Sequence, residues 1–442
     1  MRGRVLLFLM LATTAARPQV APSATGGAPT TQTQMMTPPP VSGASYPTEV
    51  GAEVRTNYLR GGFTSTTSYV NNLYASSGSA SIAETTVSVL PTIEYDATSA
   101  RRHTMVSYSP GFTFYQPSSE LNEVDNTAAI DYGLRLTEHT KLSATDNFQD
   151  SSSPFSPGYA GAGGAVSGAS ETSTPGVIPP FAKRLTNFAN VEFTMQTGLN
   201  VMIGGTVLET ELHYPNPAQT PGLYDSNSRG SSVFYNRRLS RSKYFGATYQ
   251  YLDSLANPGS GTDTTQTHTI SAYFSFNPTS RLSVSVSGGP QYYQSVQTPL
   301  PETGAWGPSV TASMGWQGTR TNFAASYSQG VTGGGGLLGA YNSKSATASV
   351  RWLVARTWIA SASGAYSNNK TVGGILMAGG QDGHSISESA TLEHSLGNQL
   401  GIAFHYDHIA QSYSGVAVIA ANPDSDRETI SISWHFQRPL GR

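Results

Sequence analysis

The sequence predicts an all-β protein: a transmembrane, antiparallel, up-and-down β-barrel of about 18 strands, with 16 as the alternative. Charged residues make up only 12% of the 442 residues, roughly half of the share expected in a soluble domain. Apolar and small hydroxyl residues alternate with a period of two, which indicates strands whose two faces meet different surroundings. Short turns and long polar connections also alternate along the chain. We therefore expect short periplasmic turns at one rim and long extracellular loops at the other.

The first 50 residues predict export followed by a tether. Arg2 and Arg4 precede an apolar run that is followed by small residues up to Ala16, which is the order of a secretory signal peptide. Residues 17–50 are rich in Pro, Thr and Gln and have no apolar period, which indicates disorder. We interpret residues 1–16 as a signal peptide, 17–50 as a disordered periplasmic segment and 51–442 as the barrel.

The stretch "NPTSRLSVSVSG" at 277–288 shows how the two faces differ. Leu282, Val284 and Val286 alternate with serines, whereas a half-buried strand of a soluble protein usually carries Lys, Glu or Asp on its wet face. A barrel in a membrane explains the pattern, with the aliphatic face toward lipid and the hydroxyl face toward the lumen. A shift of one residue would invert both faces.

Large aromatic residues of the apolar set gather near strand ends, where a membrane-spanning barrel meets its two interfaces. The predicted membrane-girdle residues are Phe276, Trp316, Trp352 and Trp358 beside short turns, Tyr251, Tyr292, Tyr327 and Tyr366 toward long loops, and Trp434 and Phe436 in the last strand. That last strand is similar to the C-terminal signal that outer-membrane assembly machinery reads, although six residues follow Phe436. The expected partners are outer-membrane lipid, lipopolysaccharide and this machinery.

Several charged residues fall on the predicted inner face and are candidates for lining a pore. They are Glu94, Asp131, Arg135, Glu192, Arg351, His405 and Asp407, together with one of Arg237 and Arg238. Opposed charges across a pore would tune its ion preference. The alternative is that they pair with neighbours and fill the barrel, and both remain open at this point.

Two features do not follow the hairpin pattern. Pro91 and Pro110 lie in segments that otherwise look like central strands, so we expect a bulge or an early strand end at each. The run "GGGG" at 333–336 lacks the Lys-Ser/Thr of a phosphate-binding loop. We expect "TGGGGLLGAY" to form an exposed loop tip.

The chain offers little catalytic chemistry. His405 and Asp407 form the densest polar cluster and could act as a general-base pair, but no Ser or second acid is placed beside them. The nine His residues are scattered and lack the spacing of a metal site. A net charge of −2 gives no reason to invoke nucleic acid. We expect no cofactor, no metal and no enzymatic activity.

One stretch carries a family resemblance. "VNNLYASSGSASIAETTVSVLPTIEYDATSARRHTMVSYSPGFTFYQ" at 70–116 and "LNEVDNTAAIDYGLRLTEHTKLSATDNF" at 121–148 resemble the outer-membrane β-barrel porin type 2 family, which is associated with exopolysaccharide and exosortase systems. Asn71, Asn72, Leu73 and Tyr74 stand in its Asp-Asn-aliphatic-aromatic step, with Asn71 in the Asp position. The resemblance implies a porin-like conduit for exopolysaccharide export in a Gram-negative outer membrane, with periplasmic export components as partners.

Three functions remain open from the sequence. The first is a porin-like outer-membrane channel, with exopolysaccharide export as its finer form. The second is a surface-binding or structural barrel that uses its long loops. The third, a minor alternative, is an outer-membrane barrel hydrolase built on His405 and Asp407.

Overall fold

The computed structural model describes residues 56–75, 82–155, 176–258, 261, 263–279, 281–297, 300–372, 381–419 and 423–440. The predicted signal peptide, 1–16, and the predicted periplasmic segment, 17–50, lie outside the described residues. Within these ranges, no helix is long and apolar enough to cross a membrane. Single turns of 3-10 helix occur at Ser119–Leu121, Pro217–Gln219 and Ala417–Ile419.

The described residues form 18 strands. In chain order they are β1 (Thr56–Val70), β2 (Glu84–Thr98), β3 (Arg102–Gln116), β4 (Glu123–Thr137), β5 (Thr140–Ser151), β6 (Arg184–Gly198), β7 (Val201–His213), β8 (Asp225–Ser240), β9 (Lys243–Asn257), β10 (Asp263–Thr279), β11 (Leu282–Gln297), β12 (Thr303–Gln317), β13 (Thr321–Gly334), β14 (Leu337–Ala355), β15 (Trp358–Val372), β16 (Gly383–Leu396), β17 (Leu400–Tyr413) and β18 (Asp424–Pro439).

Each strand pairs antiparallel with its neighbours in sequence, and β1 also pairs with β18. Phe63 of β1 lies opposite Pro91 on one side and Trp434 on the other. The sheet therefore closes into a barrel and leaves no edge strand, as a sheet in lipid requires. The prediction of 18 strands is confirmed. The short-turn rim carries the β2–β3 turn and its equivalents, and the long-loop rim carries the β1–β2 connection and its equivalents.

The two faces of the strands follow the predicted alternation. In β10, Ile270 is 56% exposed, and Phe274 is also exposed. The residue that follows each of them, Ser271 and Ser275, is buried. In β11, Val286 is exposed on the same outer surface. An exposed apolar face on a closed barrel suits a hydrocarbon environment, because no water is available there to form hydrogen bonds with polar side chains.

The predicted bulge or early strand end at the prolines is wrong. The β2–β3 register is the same on both sides of them, with Val89 opposite Phe112 and Ile93 opposite Tyr108. Pro91 therefore lies opposite Pro110, and the missing N–H groups interrupt the ladder locally without inserting a residue. The Ser109 hydroxyl donates a hydrogen bond to the Pro91 carbonyl at 3.1 Å, which satisfies one of the acceptors at this interruption.

Glycines on the inner face make room for aromatic rings from neighbouring strands. A Cβ at Gly204 would lie 2.4 Å from the Phe234 ring, and one at Gly246 would lie 2.3 Å from the Tyr273 ring. Each glycine lies directly opposite its aromatic partner in the register. Phe234, although a large aromatic residue, therefore packs against the inner wall of the barrel.

Candidate functional site: the lumen and its long-loop end

The structure places the predicted pore-lining candidates on the inner face. Each of them neighbours, in its strand, at least one large hydrophobic residue that is exposed on the outer surface, such as Ile93, Ile130, Val191, Val350 or Phe404. The residues so placed are Glu94, Asp131, Arg135, Glu192, Arg351, His405 and Asp407. Of Arg237 and Arg238, Arg238 shares the inner face with buried Asn236 and Phe234. Their function in lining a pore stays a prediction.

A charged network lines β1–β4 near the short-turn rim. The Arg60 guanidinium contacts Glu94 at 2.5 Å and Asp96 at 3.0 Å. His103 lies 3.5 Å from Asp96 and 3.8 Å from Asp131. Sequence analysis missed Arg60, Asp96 and His103. Glu94 and Asp131 are thus parts of one belt with mixed charge.

The adjoining wall, β17 and β18, separates the two members of the predicted general-base pair. Both Nε and Nη2 of Arg427 donate to one Asp407 oxygen, at 3.1 and 2.9 Å. The His405 ring nitrogens lie 3.1 Å from the Thr391 hydroxyl and 3.3 Å from the Ser431 hydroxyl. His405 and Asp407 therefore share a face, but their described hydrogen bonds go to other groups. The described residues contain no cluster of three or more His, Asp or Glu suited to a metal ion.

The predicted girdle residues alternate with the inner face and so point outward. Trp316, Trp352, Tyr327 and Tyr366 are exposed. The others are partly covered by outer-surface neighbours: Trp358 by His394 with ring centres 4.3 Å apart, Tyr292 by Trp306, Tyr251 by His268, Phe276 by the Lys243 ammonium, and Trp434 and Phe436 by each other. Sequence analysis missed Trp306, which is 68% exposed. Contact of these rings with membrane interfaces stays a prediction.

The predicted exposed tip "TGGGGLLGAY" is wrong, because residues 330–341 fold into the lumen. This segment, called here the inward hairpin, joins the end of β13 to the start of β14 and is almost wholly buried, with Leu337 and Tyr341 at 0% exposure. A Cβ at Gly333 would lie 2.6 Å from Thr265, and one at Gly334 would lie 3.7 Å from the Ser254 Cβ. The absence of side chains lets the hairpin backbone lie directly against β9 and β10.

Buried polar side chains fix the inward hairpin in place. The Gln291 amide donates to the Val331 carbonyl at 2.8 Å and accepts from the Val331 N–H at 2.6 Å. The Gln381 carbonyl oxygen accepts from the Leu338 N–H at 3.0 Å and from the Tyr341 hydroxyl at 2.7 Å. The Asp263 carboxylate accepts from the Gly339 N–H. These bonds satisfy backbone groups that burial would otherwise leave without partners.

A second segment crosses the lumen from β6. The Gly176 carbonyl accepts a hydrogen bond from the Ser385 hydroxyl at 2.6 Å, and the Ile178 N–H donates to Gln411 at 3.0 Å. Ser385 and Gln411 belong to β16 and β17, which lie across the barrel from β6 in the strand order. Residues 176–183, the described part of the β5–β6 connection that leads into β6, therefore fold inward and are called here the crossing segment.

The inward segments meet in an apolar cluster at the long-loop rim. Among the described residues this loop cluster has nine buried members, with Val177 of the crossing segment packed against them: Leu212, Tyr214, Leu223, Leu337, Tyr341, Tyr413, Val416, Val418 and Ile419. They come from three strands, β7, β14 and β17, and from the β7–β8 and β17–β18 connections. Such packing removes apolar area from water, and here it narrows the lumen.

A closed barrel with an apolar outside, a polar inside and long loops at one rim defines an outer-membrane β-barrel protein of porin-like fold, and it places the chain in the outer membrane of a Gram-negative bacterium. No protein-family model matches the chain, and no curated protein sequence matches it.

Solved structures do match. Acinetobacter baumannii OccAB4 is 10% identical, with 88% of this chain and 100% of that chain covered, at a TM-score of 0.42. Pseudomonas aeruginosa OpdK, solved with vanillate, is 11% identical over 86% and 99% at 0.43. Pseudomonas aeruginosa OccK2, solved with glucuronate, is 11% identical over 87% and 98% at 0.43.

Proposed function

We propose that this protein is a channel for small water-soluble solutes and that the inward loops, not the barrel wall, set its bore. The observation that carries the proposal is the inward fold of residues 330–341 and 176–183, which meet in the loop cluster at one rim. Toward the short-turn rim the inner wall instead carries charged side chains such as Glu94 and Arg60, which are partly exposed. The lumen is therefore wide and polar at one end and narrow at the other.

The size of the barrel supports a channel. Barrels of about eight strands are filled by their own side chains, whereas barrels of about 16 to 18 strands leave an aqueous lumen. Much of the inner wall here consists of Ser and Thr, for example Ser287 and Thr311, whose hydroxyls lie 2.6 Å apart across two strands. Small hydroxyl side chains leave such a lumen open and wettable.

The inner charges favour polar solutes over apolar ones. The belt on β1–β4 carries both signs, and Arg351 lies on the inner face of β14. Opposed charges create a field across the lumen that orders water and solute dipoles. The pairing of Arg60 with two carboxylates leaves the belt with an acidic excess, so we expect a modest preference for cations at the short-turn end.

The finer hypothesis of exopolysaccharide export rests on the family resemblance alone. A polymer needs a bore that is continuous through both rims, and the loop cluster would have to come apart before a chain could pass. The hydrolase alternative would need His405 and Asp407 to act together, and each is bound elsewhere. The surface-binding alternative would need long loops free at the surface, whereas the inward hairpin and the crossing segment fold into the lumen.

Reconstitution tests the proposal. The purified full chain would be placed in planar bilayers for conductance in KCl and in liposomes for swelling assays with sugars of increasing size. We expect discrete conductance steps and swelling with a monosaccharide but not with a tetrasaccharide. Liposomes prepared with detergent alone serve as the control. The absence of any conductance, from protein whose folding is confirmed by its heat-dependent gel mobility, would overturn the proposal.

A further inference from the structure

Four consecutive short turns of the barrel each carry one arginine. The turns join β8 to β9, β10 to β11, β12 to β13 and β14 to β15. The four residues are exposed and are called here the basic arc: Arg241, Arg281, Arg320 and Arg356. Successive hairpins are two strands apart. With about 4.8 Å between strands and a tilt of about 40°, the arginines therefore follow one another at intervals of about 12 Å along the rim.

The basic arc has no acidic counterpart on its own strands. No Asp or Glu occurs at 226–252, 264–301 or 303–381, and these ranges include the short-turn halves of all the strands from β8 to β15. The ion pairs of Lys and Arg side chains among the described residues are those of Arg60, Lys183, Arg229 and Arg427. Within that part of the chain, the arc arginines are therefore unpaired. Elsewhere on this rim acids lie among the bases, such as Asp96 and Glu138.

Each arginine of the basic arc lies near a large aromatic side chain of the outer surface, four or five residues away along its strand. In the order of the arc, these aromatic residues are Phe245, Phe276, Trp316 and Trp352. Three of them are exposed, and the Phe276 ring lies 5.6 Å from the Lys243 ammonium. At about 3.3 Å per residue and a tilt of about 40°, four residues correspond to about 10 Å along the barrel axis.

This spacing places the basic arc at the depth of lipid headgroups. The aromatic girdle marks the edge of the hydrocarbon core, and the headgroup layer beyond it is about 5 to 8 Å thick. An arginine side chain is long enough to bend back from the turn into that layer while its stem stays on apolar surface. The guanidinium groups can therefore reach phosphates, whereas turns this short project little into the periplasm.

Backbone hydrogen bonds fix the turns of the basic arc relative to one another. The Arg281 carbonyl accepts from the Gln317 N–H at 2.7 Å, and the Arg320 carbonyl accepts from the Leu353 N–H at 2.7 Å. Each of these turns is thus tied to the hairpin that follows it. Four cations held at set intervals without acids raise the positive potential of this side of the rim, which favours an anionic surface as the partner.

We propose that the basic arc binds anionic phospholipids in the periplasmic leaflet of the outer membrane. The guanidinium groups donate charge-assisted hydrogen bonds to the headgroup phosphates, and the acyl chains lie against Trp316, Trp352 and the aliphatic band beyond them. The depth of the arc favours lipid over a soluble acidic protein. The inference goes beyond channel function, because it holds whether or not the barrel conducts.

Quenching of tryptophan fluorescence by brominated lipids tests the proposal, because Trp316 and Trp352 lie beside the arc. The full chain would be reconstituted into phosphatidylcholine vesicles that contain brominated phosphatidylglycerol or, for comparison, brominated phosphatidylcholine. We expect phosphatidylglycerol to bind about three- to tenfold more strongly, and this preference should largely disappear at about 0.5 M NaCl. Replacement of the whole arc in Arg241→Gln/Arg281→Gln/Arg320→Gln/Arg356→Gln should abolish the preference.

A matched variant separates the basic arc from total charge. Lys183→Gln/Arg229→Gln/Lys344→Gln/Lys370→Gln removes four exposed cations from the long-loop rim and should keep the preference. If the variant without the arc does not fold, Arg320→Gln/Arg356→Gln, next to the two reporting tryptophans, should still lower the preference about twofold or more.

Three results would overturn the proposal: no preference in the unaltered protein, a full preference in the folded arc variants, or an equal loss in the matched variant. Displacement of phosphatidylglycerol from the arc by a soluble poly-glutamate peptide at equal charge would identify an acidic protein as the partner instead. A clear lipid preference without conductance would refute the channel and leave the basic arc standing.

Discussion

Shortening the inward hairpin should raise the conductance of the channel. Val331 of β13 lies directly opposite Asn342 of β14, so residues 332–341 can be replaced by Asn-Gly, the two-residue turn that best joins antiparallel strands. The change removes Leu337 and Tyr341 from the loop cluster and leaves the register of the strands below unaltered. The barrel itself should therefore stay closed.

The size of the effect follows from barrel geometry. A barrel of 18 strands, spaced about 4.8 Å apart and tilted about 40°, has a circumference of about 113 Å and a backbone radius of about 18 Å. Small inner side chains reduce the free radius to about 12 Å at the open end. The hairpin supplies two of the nine described members of the loop cluster, and the other loops remain. We expect a rise of about two- to fivefold, short of a fully open lumen.

Single-channel recording in planar bilayers measures this change. A disulfide that ties the inward hairpin to β9 provides the opposite perturbation. An ideal Cβ at Gly334 lies 3.7 Å from the Ser254 Cβ, within the range of a disulfide, and the chain has no other cysteine. Because Gly334 has a φ of +81°, the reduced Gly334→Cys/Ser254→Cys protein is needed as its own reference. Formation of the disulfide should not raise the conductance above that of the same variant in its reduced form. If the shortened protein folds and conducts no better than the unaltered one, the hairpin does not set the bore.

Three further perturbations follow from local geometry. Burial raises the pKa of Asp263, beyond the membrane-spanning part of β10, from 3.8 to about 6. Between these two pKa values Asp263 is protonated in the folded state and ionised in the unfolded chain. Its contribution to stability is therefore lost as the pH rises, and the resistance of the inward hairpin to protease should fall between about pH 4 and pH 7. Asp263→Asn should remove this dependence. Gly246→Ala should lower stability to urea by about 1–3 kcal/mol, because its Cβ would meet a ring and a carbonyl at 2.3 Å, whereas Gly288→Ala, whose nearest contact is at 3.4 Å, should change little. Arg427→Met should cost about 1–3 kcal/mol by leaving Asp407 unpaired, and Asp407→Asn in the same chain should recover part of it in a double-mutant cycle.

The strands could be predicted because each face meets one kind of surrounding along its whole length. The alternation of Leu282, Val284 and Val286 with serines requires only that lipid lies outside the barrel and hydroxyl groups line its inside. Neither requirement depends on which distant residue packs against the strand. The pairing of the first and last strands follows too, since an open edge in lipid would leave backbone groups unsatisfied. Phe234 of β8 is a large residue on the inner face of small residues, because Gly204 of the neighbouring strand β7 makes room for its ring.

The inward loops could not be predicted by the same reasoning. Four consecutive glycines normally indicate an exposed and flexible tip, yet here they bring backbone into contact with Thr265, far away in the sequence. No local period encodes such a contact. The available signal was the apolar group that follows the glycines, since Leu337, Leu338 and Tyr341 would be costly to expose on a solvated tip.

Low charge content therefore has two physical causes in this chain, and only the first concerns lipid. Where the inner wall receives loops, its hydroxyls act as hydrogen-bond partners: Ser385 donates to the Gly176 carbonyl, and Ser228 bonds Ser254 at 2.9 Å beneath the inward hairpin. A Lys or Glu at these positions would become a buried charge once the loop folded in, at a cost that packing would not recover. Ser and Thr can serve both a wet wall and a packed one, so a single inner-face composition permits an open lumen at one rim and a folded constriction at the other.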